Sequence, residues 1–356
     1  DADAGWHIRT GEYILDHKSV PRTDLFSFSK AGEPWYAWEW LADVGMAALH
    51  RRWGLQGLVF FAGLLIAATA TIVLRHQMWR GANVFVALVT GLLATGASSI
   101  HYLARPHLVT MLLIAVSMWM LECDRRKPSK VIWLLVPLSA LWTNLHGGFL
   151  ALLACVAILA LGAIIEAWLR QDPFLVKQAV RYAGLAGGCA AATLVNPYGI
   201  HLHLHIAQYL RSDWIRSMVQ EFQSPSFRNE NLLQFEALLF LGIMTAGFQL
   251  RRRRIVEAMW ILFWGHQALV SARHVPLFSI IAAPILAGEL SLWWSSCCAS
   301  ASRRSFAGVL SELAVDTAPG FRRTTVWSVF FAAAILVASP ACRWPKDFPE
   351  QRFPVR

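Results

Sequence analysis

An all-α, polytopic transmembrane helical bundle is the fold class this sequence predicts, with a long extracytoplasmic first loop carrying interfacial helices. Three observations predict it. Charged residues make up only 15% of the 356 residues, against about 25% in soluble domains. The apolar set reaches 56% and mean hydropathy is +0.45. Apolar stretches of about 20 residues recur, the length that crosses a hydrocarbon core roughly 30 Å thick. The same balance excludes a disordered chain, which needs low hydrophobicity and high charge. Six scattered Cys exclude a disulfide-stapled secreted domain. A purely soluble enzyme would have to expose greasy surface to water.

The chain begins at Asp1 without Met or a signal peptide, and both ends read as cuts, with an upstream helix and a downstream segment expected beyond them. Residues 1–54 form the long outer loop. Its acidic start, Asp1-Ala2-Asp3-Ala4-Gly5-Trp6-His7, would follow that upstream helix. Val20 to Phe28 reads as extended, because Pro21 is followed by alternating apolar residues. A helix from about 36 to 50 would align Glu39, Asp43 and His50 on one stripe, which Met46 interrupts.

Nine spans are expected within 55–294, at 55–74, 82–98, 107–122, 131–145, 149–168, 182–195, 231–249, 255–272 and 275–294. The stretch 182–195 is short and rich in Gly and Ala, which suits packing against other helices. Only Leu145-His146-Gly147-Gly148 separates 131–145 from 149–168, so these two spans form a tight hairpin. The bundle includes an outer loop, 196–230. A cytoplasmic loop (295–324), a last span (325–341) and the start of a truncated extracytoplasmic segment (342–356) complete the expected order.

Orientation follows from Lys and Arg in short loops. Seventeen of the 32 fall in one alternate set of mostly short loops, from Arg75 and Arg80 to Arg322 and Arg323. The short connections of the other set hold only Arg105 and Arg273. The first set is therefore assigned to the cytoplasm of a plasma (inner) membrane, and the net charge of +10 reads as topology rather than a nucleic-acid footprint. Ten of the twelve His then fall on or beside the outer face. Any chemistry is expected there, and the inner loops read as basic and chemically dull.

Several outer constellations carry two readings. Asp1, Asp3 and His7 suit metal binding or proton abstraction, or equally a solvated helix exit. Glu39, on its helix, faces either a cavity or water, and Asp24 lies in the extended segment. Arg105-Pro106-His107 and Arg273-His274 are two Arg/His pairs at the same depth. They suit a phosphate, which arginine grips with paired charge-assisted bonds, or snorkelling to headgroups. His146 is pinned in its hairpin, as a ligand or as a satisfied core histidine. His201 and His205 lie one turn apart with no third ligand in sequence. Most of the 17 Trp read as interfacial anchors, least so Trp35, Trp38 and Trp40. Glu236, within a span, is an intramembrane acid and suspect by default.

The order of these motifs resembles membrane C-type glycosyltransferases, in particular bacterial relatives of protein O-mannosyltransferases and the aminoarabinose transferase. The resemblance rests on a D-x-D-x-x-W-H-I-x-x-G start (Asp1, Asp3, Trp6, His7, Ile8, Gly11), Pro21 to Asp24, Glu39-Trp40-Leu41, Arg105 to His107, Asn144 to Gly148, Asn196 to Gly199 and Arg273-His274. It covers residues 1–290, roughly. It implies transfer of a sugar from a polyprenyl-phosphate carrier to a glycan, lipid or protein acceptor on the extracytoplasmic side, usually with inversion. It further implies that Asp3 or Asp1 acts as general base, with His7 beside it, or that Asp1 and Asp3 hold a divalent metal, Mg or Mn. These acids are spaced two apart, whereas the best-known pattern has them adjacent. Substrate contacts fall to Arg105, His107, Arg273, His274, His146, Asp24 and Glu39. Membrane lipids are partners and nucleic acid is not. A transporter or flippase for a lipid-linked or anionic solute would use the same Arg and His, and a glycan ligase or polymerase would differ only in acceptor. No internal repeat favours the transporter.

Overall fold

The computed structural model describes residues 2–228, 232–299, 301–302, 304–327, 330–331, 334–335 and 347–348. Among them the regular structure is helical, apart from one backbone bridge between Thr23 and Pro34. Six described helices are long and apolar enough to cross a membrane. They are α2 (Trp40–Trp79), α3 (Val84–Ser98), α4 (His107–Arg126), α6 (Phe149–Arg170), α10 (Leu233–Arg251) and α12 (Val275–Cys298). Two more, α5 (Leu135–Leu145, with the preceding 3-10 turn Lys130–Leu134) and α11 (Ile255–Val270), are apolar but shorter.

The first seventeen residues depart from the expected helix-exit segment. Ala2–His17 is a helix, α1, laid against the start of α2. Its buried Ala4, Ile8, Gly11 and Ile14 recur at three- and four-residue steps, the signature of a helix with one covered face. Gly11 sits on the backbone of Asp43, and a Cβ there would collide with the Asp43 carbonyl. The stripe expected at 36–50 begins with Glu39 at the N-cap of α2. Helix α2 breaks at Gly54, whose φ of 65° and ψ of −160° suit a residue without a Cβ. The first limb, 40–53, which carries Asp43, is thus separate from the apolar limb beyond it.

Helix α7 (Pro173–Ala192) starts nine residues before the expected 182–195, because Asp172 caps Phe174 N–H and Pro173 occupies the first turn. Helices α8 (Ile200–Arg211) and α9 (Asp213–Met218) lie in the expected outer loop 196–230. The expected loop 295–324 contains a helix, α13 (Phe306–Arg322), capped by Ser305. The last span expected at 325–341 and the segment 342–356 fall mostly outside the described residues.

Successive helices run in alternate directions, so their ends gather on two rims. Helix α12 is the axle of the bundle: 78% of its apolar window is buried, against 22% for α2 at the periphery. Phe278, Ile281, Ala282, Ala283, Ile285 and Leu286 meet α3, α10 and α11.

The arginine-rich rim is not dull. Five acids at helix ends are buried there: Glu122, Asp124, Glu166, Glu257 and Glu289. Arg80 pairs with Glu122, and Arg181 with Asp124 at 3.0 Å. Arg125 bridges Glu166 at 3.3 Å and Glu257 at 2.9 Å, and Arg252 takes Glu289. Counting cations in loops missed these acids because each lies within a helix and not in a loop.

Candidate functional site

The opposite rim collects the side chains expected to be chemical. Asp3, His7 and Gly11 stand four residues apart on α1, and therefore on the face turned towards α2. The contact at Gly11 lets His7 reach the first turn of the neighbouring helix. Its Nδ1 donates to Asp43 Oδ1 at 2.7 Å, and its Nε2 lies 3.6 Å from Glu39 Oε2. The other Glu39 oxygen lies 3.4 Å from His146 Nε2. Glu39 is thus clasped between two imidazoles.

The hairpin fixes the tautomer of His146. Gly148 N–H donates to His146 Nδ1 at 2.9 Å. Trp142 Nε1 donates to Thr110 Oγ1 at 2.8 Å, leaving the Thr110 hydroxyl to donate to the same Nδ1 at 2.9 Å. Both bonds use the Nδ1 lone pair, so the neutral ring carries its proton on Nε2, aimed at Glu39. A Cβ on Gly148 would collide with Thr110 and fall 2.8 Å from His146 Nδ1. This explains why the turn has glycine at that position.

A ladder of rings continues from His146. His107 lies 6.4 Å from it, centroid to centroid, and His101 5.4 Å further on. His107 Nε2 donates to the His101 carbonyl at 2.6 Å, which leaves its Nδ1 as an acceptor when the ring is neutral. His101 Nδ1 lies 3.9 Å from Glu221. His274 Nδ1 donates to the Gln267 carbonyl at 3.2 Å.

Two arginines complete the rim. Arg105 pairs with Asp3 at 2.8 Å, and the Asp3 side chain is 59% exposed. Arg273 lies over the Phe222 ring at 4.3 Å and makes no ion pair among the described residues. Its charge nevertheless acts on Glu39 and His146.

These surroundings set the proton positions. Burial pushes the Glu39 carboxyl up to about 7, with Asp43 adding to the rise and His7, Arg273 and the Gly147 backbone opposing it. Burial alone would depress His7, but the hydrogen bond and charge of Asp43, with Glu39 and Asp3, outweigh it and raise its pKa. His146 falls well below the ordinary imidazole range, through burial and the nearby His107 and Arg273. One rim therefore holds a neutral imidazole, a cation-prone imidazole and a carboxyl poised near neutrality.

Of the expected site residues, the structure gathers Asp3, His7, Glu39, Arg105, His107, His146, Arg273 and His274 at this rim. Asp1 lies outside the described residues. Asp24 sits in a turn of its own: it accepts from the Phe26 and Ser27 backbone N–H groups, each at 2.9 Å, and from the Ser27 hydroxyl. These bonds hold its carboxyl below the usual range. Among the described residues no three His, Cys, Asp or Glu side chains group as metal ligands. Asp3 faces a guanidinium, an arrangement that fits a dication poorly. His205 stacks on Tyr36 at 4.2 Å, and His203 bonds Thr193.

Four contributors escaped the sequence reading. Asp43 stood on the Glu39 stripe, yet its partner on α1 was hidden while 1–17 read as a loop. Thr110 and Trp142 look like ordinary span residues. Tyr198 read only as part of a turn, but its hydroxyl accepts from Ala37 N–H at 2.8 Å and donates to the Pro21 carbonyl at 3.0 Å, fastening the first loop. Trp40 is fastened likewise, donating to Asn144 at 2.7 Å, while Trp35 meets Trp6 and Trp38 meets Tyr209.

Neither a scan against protein-family models nor a search of the curated proteins returned a match to this chain.

Proposed function

We propose that the chain is an integral membrane glycosyltransferase, taking a sugar from a polyprenyl-phosphate carrier and passing it to a hydroxyl acceptor at the histidine rim, on the extracytoplasmic side. The observation that carries this reading is the pairing of Arg273, a guanidinium without a carboxylate partner among the described residues, with the Arg105–Asp3 ion pair, beside Glu39 and the neutral His146. The ordered resemblance to C-type glycosyltransferases points the same way.

The carrier phosphate would lie against Arg273 and draw Arg105 away from Asp3. The acceptor oxygen attacks the anomeric carbon, and its proton passes to the freed Asp3 carboxylate. The bond from the anomeric carbon to the phosphate oxygen breaks, and polyprenyl phosphate departs with its new charge held by the two arginines. His107 and His274, whose other nitrogens are committed to backbone carbonyls, offer the phosphate oxygens hydrogen bonds only when protonated. No step is routed through a metal.

The test is label transfer in proteoliposomes, using a panel of radiolabelled polyprenyl-phosphate hexoses and pentoses. Asp3→Asn should slow transfer by about 100- to 10,000-fold, the usual range for a general base. Arg273→Ala should lose at least about 100-fold, as for an oxyanion donor. Wild-type transfer by Asp3→Asn would remove Asp3 as base. Passage of the label across the vesicle with its sugar–phosphate bond intact would make the protein a transporter instead.

A further inference from the structure

A groove of about 350 Å³ opens on the flank of the bundle at the arginine rim. Ile72 of α2, Val116, Trp119 and Met120 of α4, and Val131 and Ile132 of the turn before α5 make its apolar wall. Val131 at its lip is 57% exposed. Helix α4 has 20 residues. At 1.5 Å per residue, the groove's α4 residues, Val116 to Asp124, lie about 13–26 Å along the axis from His107, where that helix begins at the histidine rim. It is no part of the site described above.

Cations stand beside the groove, around its lining residue Trp119. Arg75 lies 5.9 Å from the centroid of Trp119, and Arg126 lies 3.7 Å over Trp79. The two indoles meet edge to face, 6.4 Å apart, so each guanidinium lies by one ring of the same aromatic pair. Neither arginine has an ion pair among the described residues, and Lys127 and Lys130 follow, both exposed. The acid at the mouth, Asp124, is already neutralised by Arg181 and by Ser129 N–H at 2.7 Å. It therefore does not offset the surplus. Elsewhere on this rim each buried acid has taken an arginine; here the cations are left over.

We propose that this groove binds an anionic glycerophospholipid from the leaflet that meets the arginine rim. One acyl chain occupies the apolar wall, and the phosphate lies between Arg75 and Arg126. Charge complementarity selects the occupant: a zwitterionic headgroup would bring its ammonium to the same cations, whereas a net negative headgroup does not. Basic pockets between helices hold anionic headgroups by this logic. The inference is independent of the chemistry at the other rim.

The test uses the full chain in nanodiscs with diazirine-bearing phosphatidylglycerol or phosphatidylcholine at equal mole fraction. We expect adducts on residues 116–132, at least five times more from phosphatidylglycerol. The R75A/R126A double variant should fall to the phosphatidylcholine level, while R75K/R126K keeps the preference, separating charge from folding. V116W, which fills the groove, should lower both yields. Equal labelling of the wild type by the two lipids, adducts elsewhere, or a preference surviving in R75A/R126A that elutes as folded protein would overturn the proposal. So would polyprenyl phosphate, present during irradiation, suppressing adduct formation more readily than unlabelled phosphatidylglycerol does.

Discussion

His7 stands between two carboxylates, and its protonation state depends on both. Asp43 is the dominant partner that raises its pKa, and Glu39 adds to it. Asp43→Asn should therefore lower the His7 pKa, read from the imidazole shifts in a pH titration by NMR; an unmoved value would show that Asp43 is not the cause. The sign for stability follows. A histidine raised on folding contributes stability below its unfolded pKa and loses it as pH climbs through the folded value. Glu39, raised to about 7, behaves in the same direction: burying it costs progressively more as pH climbs from about 4.5 to about 7. The grip of α1 on α2 should weaken from mildly acidic to alkaline pH. Backbone amide exchange over residues 4–14 would register this as faster exchange at matched chemical rates.

At the scale of the element, α1 depends on one missing methyl. Gly11→Ala would push against Asp43 backbone, which no rotamer change relieves. Overpacking of this kind costs about 1–3 kcal/mol. Because α1 carries Asp3 and His7, thermal unfolding and sugar transfer should both suffer, and Gly5→Ala, which meets only the Phe348 ring at 3.7 Å, serves as the mild control. Six of the nine expected spans were legible from hydropathy, because lipid solvation demands long apolar runs; 131–145 and 255–272 are shorter apolar helices, and 182–195 falls on the second half of α7. Helix α1 was legible too, in the spacing of Ala4, Ile8, Gly11 and Ile14, but an acidic start drew attention to charge instead. The gathering of His101, His107 and His146 at one level followed from counting alternate loops. The His146 tautomer did not, since it depends on Thr110 and Trp142, which reach His146 from two different helices.

The whole molecule differs between its ends. At the arginine rim, one residue ties three helices: Arg125 of α4 holds Glu166 of α6 and Glu257 of α11. Removing it would leave two buried carboxylates without their cation. Arg125→Ala should destabilise the fold by about 3–5 kcal/mol, as for other broken buried pairs. Heat or denaturant unfolding in detergent would measure this, and a loss under about 1 kcal/mol would mean that water reaches the acids. At the histidine rim the ties are imidazole–carboxylate contacts: His7 meets Asp43 at 2.7 Å, and Glu39 meets His146 and His7 at 3.4 Å and 3.6 Å.

Between these ends, Gly54 works as a joint. The limb beyond it can lean as the bilayer thickens or thins, which is how helices absorb a mismatch in length. The limb before it stays fastened to α1 and the loops. Changes in lipid thickness should therefore be taken up by the tilt of residues 55–79, while the carboxylates of Glu39 and Asp43 keep their places.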